Sequence, residues 1–338
     1  MQKKRIHAID IAKGMAILLV VFGHAVQGIN SSEHLGFTTA WSSIYVAKAV
    51  IYSFHMPAFF ILSGLFVDHW LRKPTKVALW DKIKRLAYPY FVWSIILGTI
   101  MQVVQQYTNG GLGFKELVQA PIVPFSEYWF LYLLFFFFMT YLIVGRLWPR
   151  GYKPLLLIVG AALFISYPFL PDVWILLRFS KFFIFFALGT YLLDFFTVEE
   201  KRKQTWLGLG VSTGAFVCVE TLYILVLRAN LTHLADYVWF FTAIMGTAML
   251  CYAAKLIAHQ ANHWSVKALE YTGVISMQIY VMHIIPLAGT RIFLLRFAHV
   301  TNLWLVAIII FIVALIFSYL GSYVIKRCHL NEWFFAEK

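Results

Sequence analysis

A chain of 338 residues that is 61% hydrophobic, 18% aromatic and only 13% charged, with a mean hydropathy of +0.76, is not a soluble globular domain. It reads as a polytopic membrane protein. The formal net charge of +13 comes mainly from basic residues gathered on one side of the predicted spans, so it does not argue for nucleic acid as a partner.

Apolar runs of about 17–25 residues predict an all-α polytopic bundle of about ten transmembrane helices. They lie near 9–28, 44–66, 86–106, 128–146, 154–170, 175–193, 205–227, 237–256, 268–290 and 303–325. The expectation is a single membrane domain over 1–338 with no appended soluble domain. Only the connections at 29–43, 67–85 and 107–127 are large enough to shape a site. Of 28 Lys and Arg residues, four (Lys115, Arg228, Arg291, Arg296) fall in outer segments and four (Lys13, Lys48, Arg178, Lys181) within spans. The remaining twenty share the other side, an asymmetry that is expected to place both termini in the cytoplasm; the expected location is the plasma (inner) membrane, as a multi-pass protein.

The opening Met-Gln-Lys-Lys-Arg followed by an apolar run imitates a secretory leader. Lys13 and His24 would spoil the apolar core of a leader, and no clear small-x-small cleavage site follows, so the run is read as a span. At about 100° per residue Asp10, Lys13 and His24 share one narrow sector of that helix. Burying such groups costs roughly 2.5–3.5 kcal/mol each on insertion scales, which makes them functional candidates. Lys13 and His24 stand roughly 16 Å apart along a regular helix, too far to touch and suited to two parts of one long ligand. Asp10 is placed to pair with Lys13 at i, i+3.

His55 sits in the second span in Ser53-Phe-His-Met-Pro57, where Pro57 removes a backbone donor and is expected to kink the span, and Ser63-Gly64 invites close approach of another helix. The basic stretch 72–85 contains Lys82, Lys84 and Arg85. It reads as a topology determinant with anionic-lipid contact, or as a phosphate grip for a nucleotide-bearing ligand. Arg178 and Lys181 stand one turn apart near the outer face, with Lys48 also near an outer end; they line an anionic path or snorkel. Glu220 in the seventh span is a candidate partner for one of them. Tyr280 and His283 share a face of the ninth span. Three histidines among other ionisable groups favour a shared polar cavity over isolated interhelical hydrogen bonds. A metal or haem site is disfavoured, because no Cys, Asp or Glu reinforces it and Lys13 would repel a cation. The cysteines, Cys218, Cys251 and Cys328, form no Cys-x-x-Cys pair and read as packing residues.

Together these segments resemble the acyltransferase-3 family of integral membrane acyltransferases, in particular its fucose-4-O-acetylase-like branch, over nearly the whole chain. Lys13-x10-His24, preceded by Asp10, is similar to the opening motif. Phe54-His-Met-Pro-Ala-Phe-Phe-Ile-Leu-Ser-Gly64 is similar to a second hallmark, and Lys82-Ile-Lys-Arg85 to an altered basic element. Glu127-Tyr-Trp129-Phe-Leu131, Phe186-Ala-Leu-Gly189 and Tyr280-Val-Met-His283 resemble later blocks. Lys13 and Lys82 stand where Arg is commoner, so bidentate contacts are lost there.

The resemblance implies transfer of an acetyl group from acetyl-CoA, a co-substrate, to a hydroxyl of an extracytoplasmic or lipid-linked carbohydrate, with no metal. The expected catalytic residues are His24, Asp10 and Lys13, with His24 as general base or transient acyl carrier. Lys13, Lys82, Lys84 and Arg85 are expected to hold the coenzyme A thioester. His55, Ser63, Trp129, Tyr280 and His283 are expected to line the substrate cavity. The alternative is a polysaccharide or lipid-linked glycan exporter using the same cavity without covalent chemistry. Acceptor identity, acyl length and homo-oligomerisation stay open.

Overall fold

Intramembrane backbone must satisfy its own hydrogen bonds, so a chain of this composition folds as helices. The computed structural model describes residues 6–31, 41–104, 113–198, 200–260 and 262–336. These form an α-helical bundle, with no strand among the described residues. The long helices are α1 (His7–Asn30) and α2 (Ser43–Gly64), followed by the short α3 (Val67–Leu71) and α4 (Thr75–Lys82). A π turn, Ile83–Ala87, joins α4 to α5 (Tyr88–Val104). Next come α6 (Phe114–Val118), α7 (Trp129–Leu147), α8 (Tyr152–Ser166), α9 (Trp174–Gly189) and α10 (Leu193–Thr197). The chain continues through α11 (Arg202–Arg228), α12 (Thr232–Ala258), α13 (Trp264–Val274), α14 (Ser276–Met282), α15 (Ile284–Ile292), α16 (Leu303–Arg327) and α17 (Asn331–Phe335).

Among the described residues nine helical segments are long and apolar enough to cross a membrane. The predicted span at 175–193 corresponds to α9, a 16-residue helix packed inside the bundle through Phe182, Phe183, Phe185 and Phe186. The basic stretch after Lys73-Pro74 is helical rather than an open loop, since Pro74 is the only breaker and good helix formers follow it. The predicted outer loop at 29–43 lies largely outside the described residues, as do Lys3, Lys4 and Arg5.

The helix carrying Lys13 and His24 is the centre of the bundle. α1 packs against α2, α12, α13, α14, α15 and α16, and Ile11, Ala12, Ile17, Val20 and Val21 have no exposed surface. Lipid tails are as apolar as leucine, so such contacts rest on close packing rather than on a hydrophobic driving force. Glycines set the distances. A side chain at Gly14 would overlap the Leu269 carbonyl oxygen, and one at Gly273 the Asp10 carbonyl oxygen, which brings α1 and α13 backbone to backbone. Gly64 and Gly189 do the same for α2 and α9, so the close approach expected at Ser63-Gly64 is made by α9. Interlocked rings of Phe60, Phe130, Phe137, Phe182 and Phe186 fill the space between α2, α7 and α9.

The predicted ninth span is not one helix. It is interrupted at Ile275 and again at His283, and membrane-length character runs from Ser276 to Phe297. Pro286 explains the second break: it offers no N–H to the Met282 carbonyl, and its ring crowds that turn. Just before this break the His283 imidazole engages the Ile279 and Tyr280 carbonyls through Nδ1, at 3.1 and 2.8 Å. α2, by contrast, runs unbroken through Pro57.

Candidate active site

α1 presents one face to two cavities arranged end to end. The chamber at the His24 end, termed outer on the orientation that the Lys and Arg asymmetry predicts, is about 340 Å³ and is lined by His24, Gln27, Lys48, Tyr52, His55, Met56, Glu127, Trp129, Arg178, Phe182 and Tyr280. The inner cavity, about 140 Å³ and mostly apolar, is lined by Lys13, Val20, Met56, Ser63, Leu86 and Tyr280 among others. Met56 and Tyr280 belong to both walls, so they mark where the cavities meet.

His24 is the best-defined group of the outer chamber, with only 8% of its surface exposed. Its Nδ1 lies 3.0 Å from the Tyr52 hydroxyl, and its Nε2 lies 3.8 Å from a Glu127 carboxylate oxygen. That second distance is beyond a hydrogen bond but within ion-pair range once the imidazole is protonated. The His283 ring packs against His24, 5.3 Å between centroids, and Tyr52 stands edge-on to both His24 and His55. Nδ1 of His55 is held 2.7 Å from the Ile51 carbonyl. The Tyr280 hydroxyl donates to the backbone carbonyl of Glu127, which pins the start of α7 to α14. Arg178 lies over the faces of Trp129 and Trp174, at 5.1 and 5.6 Å from the ring centres.

The structure gathers His24, His55, Trp129 and Tyr280 in the outer chamber, and Lys13, Ser63 and Tyr280 around the inner one. His283 does not line either space. It is fully buried against His24, and its Nε2 has no hydrogen-bond partner among the described residues. Asp10 lies one turn before Lys13, and its charge acts on the Lys13 ammonium.

The basic cluster divides. Lys82 turns inward, its ammonium 3.5 Å from the centre of the Phe138 ring and 5.4 Å from that of Trp70, near enough to feel the charge of Lys13. Lys84 and Arg85 are exposed, and Arg85 joins Lys73 on Asp81, at 3.3 and 3.1 Å. Lys84 and Arg85 therefore do not line the cavities that hold Lys13 and His24.

Arg178 and Lys181 also separate. Arg178 faces the outer chamber, whereas Lys181 forms an ion pair of 2.9 Å with Asp236 and sits over Trp239. No ion pair joins Glu220 to a cation among the described residues; it is buried on α11 near Ser53. Nor are three His, Cys, Asp or Glu side chains gathered at metal-binding spacing among the described residues.

Sequence reasoning missed Tyr52 and Glu127 as members of the site. A signal existed for each. Tyr52 precedes His55 at the same i, i+3 spacing that links Tyr280 to His283, and Glu127 is a carboxylate at the head of an apolar span. What no pattern could supply is their meeting with His24, because Tyr52 is 28 residues away on another helix and Glu127 opens a third.

Comparison with known proteins bears on this arrangement. The chain is 30% identical over 201 residues to the nodulation protein NolL of Sinorhizobium fredii, covering 57% of this chain and 50% of that protein. It is 29% identical over 135 residues to NolL of Mesorhizobium japonicum, covering 38% and 33%. The chain thus spans between a third and a half of the length of these curated relatives. No solved structure matches it. The acyltransferase-3 family, described as an acyltransferase domain, matches residues 6–323, which takes in both cavities and every residue of the His24 cluster. The chain belongs to the acyltransferase-3 family.

Proposed function

We propose that this protein is a membrane O-acyltransferase that moves an acetyl group from acetyl-CoA, on the basic side of the bundle, to a hydroxyl of a carbohydrate or lipid-linked glycan on the other side. The basic side is taken as cytoplasmic on the asymmetry of the Lys and Arg residues, and the membrane is taken as the plasma membrane. The observation that carries the reading is the pair of cavities along α1, with Lys13 in one, His24 in the other and a shared wall at Met56 and Tyr280. A long donor with an anionic end and a thioester tip matches that polarity. The eleven residues from Lys13 to His24 span roughly 16 Å of helix, the reach of an extended pantetheine arm.

In this reading His24 is the general base. As the acceptor oxygen attacks the thioester carbonyl carbon, its proton passes to His24; the C–O bond forms and the C–S bond breaks. The proton then goes from His24 to the departing thiolate, so no net proton is consumed. Tyr52 on Nδ1 fixes the imidazole orientation, and the Glu127 carboxylate near Nε2 stabilises the imidazolium that forms. A carbohydrate acceptor suits the outer chamber, where the aromatic surfaces of Trp129, Tyr52 and Tyr280 alternate with the polar groups of Gln27, Lys48 and Glu127.

The test is incubation of the purified protein with radiolabelled acetyl-CoA and a panel of glycans. Label transferred to a glycan, lost in His24→Ala, is the expected result. Glycan movement across vesicles without label transfer would establish the exporter instead, and label retained on the protein at His24 would show an acyl-histidine intermediate.

A further inference from the structure

A third cavity, of about 510 Å³, opens at the basic end of the bundle; it takes in Arg72 from the basic stretch but not Lys82, Lys84 or Arg85. Asp68, Leu71, Arg72, Gly145, Arg146, Pro149 and Tyr152 line it. Its one carboxylate is already engaged: Asp68 forms an ion pair with Lys153 and accepts a hydrogen bond of 2.5 Å from the Tyr152 hydroxyl. The two guanidiniums are not matched by other acidic groups in the lining. Arg146 donates to the Lys73 carbonyl, which uses one of its five N–H groups. A concave site with two arginines and a neutralised carboxylate is built for phosphate oxygens, which the planar guanidinium meets in bidentate fashion. Another basic-end cavity, beside His7 and His259, is less suited, because its Lys255 is held by Glu200 at 3.0 Å.

Position links this cavity to the site along α1. Leu134 lines the inner cavity and Gly145 the basal one, eleven residues apart on α7 or roughly 16 Å. Between them stand Phe138 and the Lys82 ammonium lying on its ring, within electrostatic reach of Lys13. From the His24 end toward the basic end, α1, α4, α7 and the α3–α4 connection therefore offer His24, then Lys13 and Lys82, then Arg72 and Arg146.

We infer that the Arg72–Arg146 cavity holds the 3′-phosphorylated nucleotide of the coenzyme A donor, with the diphosphate reaching Lys82 and Lys13 and the pantetheine arm filling the inner cavity. This inference rests on the proposed donor. It moves the nucleotide grip from Lys84 and Arg85, which line neither the inner nor the basal cavity, to the exposed Arg146 of α7 and Arg72 of the α3–α4 connection, which line the basal one.

Donor truncation combined with mutation tests it. Acetyl-CoA, acetyl-3′-dephospho-CoA and acetyl-pantetheine, which lacks the nucleotide, are compared as donors for the wild type, Arg72→Gln, Arg146→Gln and the double variant. Each single change is expected to raise KM for acetyl-CoA about tenfold, the worth of one charge-assisted contact, with kcat little changed. Acetyl-pantetheine should show the same KM with all four proteins, and Lys201→Gln/Arg202→Gln, of equal charge change, should move neither donor. An unchanged KM for acetyl-CoA in the double variant would overturn the assignment; so would an equal loss with acetyl-pantetheine, which marks a structural role.

Equilibrium binding of labelled coenzyme A and 3′-dephospho-CoA in neutral-lipid nanodiscs separates the two levels of the argument. Binding that weakens in the double variant supports the site even where no acetyl transfer is seen, in which case it is the proposed function that fails. Binding that ignores the arginines overturns the site alone. Loss of coenzyme A binding on adding phosphatidylglycerol, with no dependence on the 3′-phosphate, would make the cavity a lipid-headgroup site and overturn the assignment as well.

Discussion

His24 is set between a phenol and a carboxylate, and each neighbour can be removed without changing its volume. His24→Gln keeps hydrogen-bonding capacity but accepts no proton near neutral pH. If His24 is the base, this variant should lose about a hundredfold or more in kcat while folding and inserting normally; near-normal turnover in well-folded His24→Gln would remove His24 from the chemistry. Glu127→Gln deletes the charge 3.8 Å from Nε2 and leaves the backbone carbonyl that Tyr280 engages. It should lower kcat by about tenfold or more with little change in acetyl-CoA KM, since only the imidazolium formed in the reaction needs that charge. Tyr52→Phe removes the Nδ1 partner and should also reduce kcat rather than KM. A loss confined to KM in either variant would assign that residue to binding. The sequence made His24 and Lys13 legible because ionisable residues in an apolar run are conspicuous. Glu127 was legible only as part of a motif, since a carboxylate at a span end has no need of a buried partner.

At the scale of elements, the site depends on how closely α1 is held. Gly14 and Gly273 permit backbone contact with α13, and Gly64 and Gly189 join α2 to α9. Adding a Cβ at Gly273 or Gly64 forces the helices apart, with a typical overpacking cost of about 1–3 kcal/mol. Gly273→Ala and Gly64→Ala should lower the unfolding midpoint in detergent, whereas Gly210→Ala, where nothing lies within 4 Å, should be neutral or slightly stabilising. Equal midpoints for the three variants would refute packing control at these contacts. The break in the ninth predicted span also belongs to this scale. Pro286 was visible in the sequence, but His283 as the side chain that engages the carbonyls preceding it was not, and the histidine was read as a cavity group instead. The π turn at Ile83–Ala87 has a similar effect, because one added residue per turn shifts the register of the basic stretch within a single helical run. Lys82 and Lys84, two residues apart, already face different ways on a regular helix, and the wider turn carries Arg85 further from the Lys82 face.

For the whole molecule, the direction of transfer follows from orientation. Asp172, between α8 and α9, and Arg150, between α7 and α8, are exposed at opposite ends of the bundle. In a background with Cys218, Cys251 and Cys328 replaced, Asp172→Cys should react with a membrane-impermeant maleimide on intact cells, and Arg150→Cys only after permeabilisation. The reverse pattern would turn the protein over and put the Arg72–Arg146 cavity on the wrong side for a cytoplasmic donor, while leaving the geometry around His24 intact.

The amino-acid sequence by itself determined the membrane class, the helical fold, the approximate spans and the alignment of Lys13 with His24. Each of these is local: lipid demands apolar runs with internally bonded backbone, and helical periodicity fixes which residues share a face. Only the tertiary structure decided that Tyr52 and Glu127 meet His24, that His283 lies against it without lining the chamber, and that Lys82 turns in while Lys84 and Arg85 stay out. Those outcomes depend on which helices touch and how closely. In a bundle without a hydrophobic force between its helices, that is settled by glycine contacts and ring packing between distant segments, which no single span encodes.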